Sequence, residues 1–412
     1  MITRRTFWLT PALAFGGEND PHVITIDLRT GGPYAFPPQG RAYRENAPSH
    51  RIWRRVLIEA PDVIVVPGGE DFGLKAAGVP VVSHIPGKIE RSEAHQVQVR
   101  RMKQPPKEWM ADLAGQYGQE LRDMVYTLSF SVWGRLRAGQ LEAVRPILEP
   151  FLDGRIASLA KPTASHYSGH LTLASLFELT GDARAKDRVI AAAKLALENP
   201  MHNEMSDAVF MVCPLLAKAG KLTGEASYFD AALRHFEVMR KLCLRPDGLY
   251  RHSPLDEAAW GRGNAFPLLG LALALTDISV KHAAYVPFRD AYSRHADRLL
   301  AAQTLSGCWR QVIDKEDAWE EFTATAMIGW ALQRGINHKW LLGKKYKDAV
   351  KYAWKAVQRR TGADGVLIDV CESTGKQKTL ADYYNREAIL GKDPRGGAMA
   401  LQFAAEMSGA KA

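Results

Sequence analysis

A carboxylate standing at the start of an otherwise apolar run is the residue here best suited to acid-base work. Met205-Ser206-Asp207 leads into Ala208-Val209-Phe210-Met211-Val212-Cys213-Pro214-Leu215, which sets Asp207 at one end of a hydrophobic helix. A carboxyl group facing an apolar, partly closed cavity has its pKa raised by desolvation, the condition a general acid needs near neutral pH. Ser206 and Asp207 are equally ordinary helix-capping residues, and spacing alone does not separate the two roles. A second segment runs Asp247-Gly-Leu-Tyr-Arg-His252 and then Ala259-Trp260-Gly261-Arg262-Gly263-Asn264-Ala265-Phe266. Glycine lets a backbone approach a ligand closely, Arg262 offers a planar fork for a carboxylate, and Trp260 offers a stacking face for a sugar ring. A structural salt bridge is the plainer role for Arg262. A third, Ser306-Gly-Cys-Trp309-Arg-Gln311-Val-Ile-Asp314, leads to Trp319-Glu320-Glu321 and a small-residue helix. There the two glutamates either bind sugar hydroxyls or, the plainer role, favour the helix start electrostatically.

Elsewhere the sequence is less informative. Asp27, His84, Glu93 and His95 follow no metal-ligand or hydrolase spacing. Cys213, Cys243, Cys308 and Cys371 form no C-x-x-C pair and read as buried thiols. No metal or cofactor is expected. The turn Pro67-Gly68-Gly69-Glu70-Asp71-Phe72-Gly73 lacks the spacing of a phosphate-binding glycine motif.

The elements that must position these residues fall into two grammars. From 17 to about 110 the chain is α/β: 22–27, 61–66 and 79–82 are short β-branched runs followed by Gly/Pro turns, and 51–60 reads as a crossover helix of a small parallel sheet. After Pro105-Pro106 strand signals almost vanish. Helices are predicted at 111–139, 141–152, 168–180, 183–198, 206–220, 225–243, 263–278, 286–303, 321–334, 345–359 and 396–408, with a short one near 381–390. Leu179-Thr-Gly-Asp182 and Leu222-Thr-Gly-Glu225 repeat one turn chemistry, so the helices come as stacked hairpins. The apolar character of 208–216 and 266–275, against charged faces on 183–198 and 345–359, favours a closed ring of inner and outer helices over an open solenoid. Trp260, Trp309 and Trp319 sit at hairpin ends, where one aromatic, polar rim would make a sugar-binding mouth.

The 412 residues contain 46% apolar and 24% charged side chains, which excludes a disordered, collagenous or coiled-coil chain. Lys and Arg outnumber Asp and Glu by nine without a dense basic block, so no nucleic-acid partner is expected; diffuse positive charge suits an anionic sugar polymer. No run approaches the length of a membrane helix. Arg4-Arg5 before a short apolar run ending at Ala14 resembles a twin-arginine export signal over 1–16, which predicts an exported protein.

Taken in order, the Asp207 helix, the Asp247-Gly-Leu-Tyr run with His252, Trp260-Gly-Arg-Gly-Asn264, Gly307-x-Trp309-x-Gln311-Val-x-Asp314, the helix after Glu321 and the tail Asp393-Pro-Arg-Gly396-Gly397-Ala398 resemble the unsaturated uronyl hydrolases of glycoside hydrolase families 88 and 105. Their nearest type is unsaturated rhamnogalacturonyl hydrolase. The resemblance implies a mainly α (α/α)6 six-hairpin barrel over 111–412, preceded by a small α/β segment over 17–110. It implies removal of a 4,5-unsaturated uronic acid from a pectin-type oligosaccharide by hydration of the enol ether. It also makes Asp207 the proton donor and base, with His252 and Arg262 holding the substrate and Trp260 and Trp309 lining the sugar site.

Two departures stand out. Relatives carry another active-site aspartate on the loop before the second hairpin, whereas no acidic residue lies between Asp153 and Glu178, and the stretch reads Ala164-Ser165-His166-Tyr167-Ser168-Gly169. His166 is the candidate participant there. Phe266 stands where relatives often carry Trp. These departures keep two alternatives open: a sugar-binding protein with little turnover, and an epimerase or other glycosidase on the same toroid.

Overall fold

In the computed structural model residues 21–29, 32–38, 48–201 and 203–411 are described; the leader-like 1–16 lies outside them. The chain divides into two compact units, with the division at Met102/Lys103, ahead of the boundary near 110 expected from sequence. In the first, β1 (Val23–Thr25), α1 (Pro48–Glu59), β2 (Val63–Val65) and β3 (Val81–Val82) form a parallel sheet in the order β1-β2-β3, with Val23 opposite Val63 and Ile64 opposite Val81. Residues 63–65 are all buried, so β2 reads as an unbroken apolar run as a central parallel strand must. Asp62 at its start is fully buried and accepts hydrogen bonds from the His22 and Ser92 backbone and from Arg91, which makes it a structural anchor. Asp27 pairs with Arg29, His84 with Ser83 and His95 with the Ala60 carbonyl, so these residues do not converge. No cluster of three metal-binding side chains exists among the described residues. Helix α2 (Glu93–Lys103) follows.

The second unit opens with α3 (Pro106–Gln116), whose Pro106 occupies the first helical turn, where its fixed φ is already helical and no amide hydrogen is required. The single helix expected over 111–139 is two. Gly118, at φ +74°, turns the chain, and a Cβ there would sit 2.8 Å from the Ser131 carbonyl carbon. Then come α4 (Tyr126–Arg137), α5 (Leu141–Leu152), α6 (Ala164–Gly169), α7 (Leu171–Thr180), α8 (Ala183–Glu198), α9 (Ala208–Thr223), α10 (Ala226–Cys243), α11 (Gly261–Asp277) and α12 (Tyr285–Leu300). A short hairpin, β4 (Trp309–Arg310) with β5 (Glu320–Glu321), leads into α13 (Phe322–Asn337) and α14 (Lys344–Arg359). A hairpin not anticipated from sequence, β6 (Leu367–Cys371) with β7 (Ala388–Gly391), encloses α15 (Leu380–Tyr384) and precedes α16 (Pro394–Met407).

Packing closes the ring: α4, the broken helix α6–α7, α9, α11, α13 and α16 each touch the next, and α16 touches α4. Outside them α5, α8, α10, α12 and α14 back their hairpin partners, and α3 backs α16. This is the (α/α)6 barrel. The inner helices show why the sequence folds so. Every residue of α11 from Gly261 to Leu275 is buried, whereas α14 keeps one apolar face and exposes its lysines. The four cysteines are buried free thiols, pushed up by desolvation to about 12 in Cys243 and Cys308. No helix among the described residues is long and apolar enough to cross a membrane.

The inner helices share one direction. Their last turns meet around a cavity of about 480 Å³ lined by Arg137, Glu178, Lys218, Asp277, Arg334 and Glu406, among others. Their first turns, carrying Tyr126, Asp207, Arg262, Glu321 and Asp393, converge at the other end.

Candidate active site

The mouth at the amino ends of the inner helices is built outward from Asp207. It precedes α9 in helical conformation and its side chain makes no capping bond, so the capping alternative does not hold. Its neighbour Ser206 does the anchoring. Pro267 in α11 has no amide hydrogen, which leaves the Gly263 carbonyl one turn earlier without its helical partner. The Ser206 hydroxyl donates to that carbonyl at 2.6 Å, and the Ser206 amide donates to the His252 carbonyl at 2.9 Å. A Cβ on Gly263 would lie 3.1 Å from the Ser206 oxygen and 3.4 Å from the His252 ring, so glycine is what lets the three segments meet.

His252 is fully buried, and its Nε2 lies 3.3 Å from Oδ1 of Asp207, whose side chain is 13% exposed. The approach is off hydrogen-bond alignment, and both atoms are buried without another hydrogen-bond partner. Nδ1 of the same ring is 2.9 Å from the Tyr383 hydroxyl, which accepts from the Gln377 amide at 3.4 Å. Burial pushes the Tyr383 phenol well above its ordinary value, so it remains a donor. The Tyr383 hydroxyl thus holds the ring through Nδ1 and leaves the Nε2 edge on the Asp207 side.

Of the remaining sequence-derived residues, Trp260 packs on His252 and Arg262 on Trp260, and the others hold the segments around them. Trp260 is 1% exposed, with the His252 ring at 4.4 Å and the Arg262 guanidinium 4.5 Å from its centroid. It braces those groups and is not an open stacking platform. Arg262 is 2% exposed, and both terminal nitrogens are engaged, Nη1 by the Cys371 carbonyl at 2.7 Å and Nη2 by the Glu372 carbonyl at 2.8 Å, with Glu321 3.8 Å away. Its fork is closed on protein. Asn264 clamps the backbone of Tyr250 through both side-chain atoms at 2.8 Å, which fixes the strand leading to His252. Phe266 is buried against Tyr126 and Phe210 as part of an aromatic floor. Trp309 is fully buried, its indole donating to the Leu299 carbonyl, and supports the loop from behind. Glu321 caps α13 through Thr323 and Ala324 as its position before the helix suggested, while Glu320 is held by Arg360 and Ser306.

His166 opens α6 and has recruited a carboxylate from another element. Its Nδ1 accepts from the Thr163 amide at 3.0 Å, leaving Nε2 to donate to Asp123 at 2.9 Å. Three more participants were not singled out from sequence. Asp123 lies in the break inside the helix expected at 111–139, Tyr126 opens the helix that follows it, and Tyr383 lies in the insertion between β6 and β7. The interior Pro267 was the one local signal, since it frees a carbonyl that some hydroxyl must meet.

Comparison with known proteins agrees with this architecture. The family model described as Glycosyl Hydrolase Family 88 matches residues 140–411. An unsaturated 3S-rhamnoglycuronyl hydrolase of Formosa agariphila is 29% identical over 179 residues, 39% of this chain and 47% of that protein. The unsaturated rhamnogalacturonyl hydrolase YesR of Bacillus subtilis is 26% identical over 186 residues, 43% of this chain and 52% of that one. The alignments thus span about half the length of these curated relatives. Among solved structures, a possible GH105 member from Salmonella enterica superposes with a TM-score of 0.63 at 20% identity, covering 73% of this chain and 93% of that one. A family 88 glycosyl hydrolase from Bacteroides vulgatus superposes at 0.62 and 15% identity, covering 75% and 100%. With the family model matched from 140 to 411 of 412 residues, the chain belongs to glycosyl hydrolase family 88.

Proposed function

We propose that this protein hydrolyses the 4,5-unsaturated uronic acid at the end of a pectin-type oligosaccharide, with 103–411 as the catalytic unit and Asp207 as its acid and base. The observation that carries the reading is the pair formed by Asp207 and His252: two buried polar atoms 3.3 Å apart, both without a hydrogen-bond partner, at the mouth of an apolar barrel. Buried polar atoms are rarely left unpaired in a purely structural role. The names of the curated relatives support an unsaturated uronide as substrate.

In the proposed reaction the Asp207 carboxyl protonates C4 of the enol ether and leaves positive character at C5, shared with the ring oxygen. A water adds at C5 and gives its proton to the Asp207 carboxylate. The resulting hemiketal opens by breaking the bond between C5 and the ring oxygen, and the C1 hemiacetal so formed expels the leaving sugar. One carboxyl group suffices, and the paired-carboxylate spacing of common glycosidases does not apply. His252, held through Nδ1 by the Tyr383 hydroxyl, steers the Asp207 carboxylate. Arg262 and Asn264 act by holding the walls, and His166 with Asp123 forms the far lip.

The test is loss of the ultraviolet absorbance of the conjugated double bond on incubation with unsaturated galacturonyl-rhamnose and with unsaturated glucuronyl disaccharides. Turnover in the native protein and at least about a hundredfold loss in Asp207→Asn, with binding retained, is the expected outcome. Persistent absorbance alongside sugar binding would establish the binding-only alternative, and a near-normal rate in Asp207→Asn would remove Asp207 from its role.

A further inference from the structure

We infer that Arg395 is the residue that grips the carboxylate of the acidic sugar ring. The inference rests on the uronide reading above. An anionic ring entering this mouth needs a cation with unused donors, and the arginines of the β6–β7 wall differ sharply in what they have left. Arg262 has both ends of its fork on backbone carbonyls. Arg386 donates to Thr374 and Ser373 and pairs with Glu372 at 3.0 Å. Arg395 makes a single hydrogen bond, from Nη1 to the Cys371 carbonyl at 3.1 Å. Its nearest carboxylate, Asp393 at 3.9 Å, is committed to the Gly396 amide as the cap of α16. Nε and Nη2 of Arg395 have no partner among the described residues.

Those two nitrogens form the side edge of the guanidinium, the edge that takes a carboxylate in bidentate fashion. The one bond from Nη1 anchors the group and leaves that edge unpaired among the described residues. Arg395 also stands in the right place. It shares the Cys371 carbonyl with Arg262, and Arg262 lies over Trp260, which packs on His252 beside Asp207. The Tyr126 hydroxyl makes no hydrogen bond among the described residues. Burial raises its pKa, and Arg395, Arg262, Asp207 and Asp393 act on it electrostatically. At 13%, the Arg395 side chain is as exposed as that of Asp207.

The experiment compares acid and methyl ester forms of the same sugar. With the unsaturated uronide as substrate, the native protein should prefer the acid over its ester by at least about tenfold in KM, the worth of a charged hydrogen bond. Arg395→Met should bring that ratio close to one, and Arg395→Lys, which keeps the charge but loses the bidentate edge, should fall between. An undiminished ratio in Arg395→Met, or loss of the ratio in Arg262→Met instead, would overturn the assignment. Calorimetric titration of folded native and variant protein with D-glucuronate and methyl D-glucuronate asks the same question without turnover. If no unsaturated uronide is consumed, the hydrolase reading fails, and the titration still decides on Arg395: an acid preference lost in Arg395→Met upholds it, while equal native affinities or a preference kept in the variant reject it.

Discussion

An imidazole held between a phenol and a carboxyl group is a device for aiming that carboxyl group. Tyr383 holds the His252 ring through Nδ1, and the Nε2 edge of that ring lies 3.3 Å from Asp207. Tyr383→Phe should therefore leave the fold intact and lower kcat by roughly tenfold, with a smaller effect on KM, because only the orientation of the base partner is relaxed. Equal kcat in native and variant protein would show that the phenol is a bystander. Of these three groups, Asp207 and His252 were legible because each lies in a local pattern, a carboxylate before an apolar helix and a histidine closing a Gly-Leu-Tyr run. Tyr383 was not, since its partner is 131 positions away and nothing around it announces a site.

The same contrast holds among elements. Periodicity located most of the hairpins, and the all-round apolar segments 208–216 and 266–275 proved to lie in inner helices. It failed where backbone geometry outweighed side-chain pattern: at Gly118, whose left-handed φ cuts the helix expected at 111–139, and at the β6–β7 hairpin, too short to show alternation. Pro267 is the most telling element signal. It opens a carbonyl inside α11 that Ser206 fills, and the residue before Asp207 is thereby tied to the neighbouring inner helix. Ser206→Ala should leave the buried Gly263 carbonyl unpaired and cost about 1–3 kcal/mol in urea denaturation, with kcat reduced as Asp207 loosens. Pro267→Ala restores an amide donor to that carbonyl. The double variant should therefore recover stability relative to Ser206→Ala alone, provided the helix relaxes to its regular form. Strict additivity of the two losses would break the proposed link.

At the scale of the whole barrel, the end opposite the mouth carries the charges that join the inner helices. Glu406 of α16 receives Arg137 of α4 at 3.0 Å and Arg334 of α13 at 2.9 Å, with Asn337 at 2.9 Å. Lys218 of α9 bridges Glu178 of α7 at 2.7 Å and Asp277 of α11 at 3.0 Å. Two clusters thus tie three inner helices each at their carboxyl ends, where basic side chains also offset the helix dipoles. Burial alone would raise the pKa of Glu406, but Arg334 and Arg137 outweigh it and hold the carboxyl at about 2, against an ordinary 4.5. A depressed folded-state pKa means stability that is fully present above the unfolded value and is lost as pH falls toward the folded one. The window therefore runs from about pH 4.5 down to about 2, and the shift corresponds to roughly 3 kcal/mol. Glu406→Gln removes this group from the titration and leaves two buried guanidinium groups without their counter-charge, a loss of about 3–5 kcal/mol at pH 7. Urea denaturation of both proteins at pH 7 and at pH 3 should show the gap between them narrowing on acidification, because the native protein loses at low pH what the variant never had. A gap of constant size across that range would mean that Glu406 holds the barrel by packing and neutral hydrogen bonds, and that the charge balance at this end is not what closes the ring.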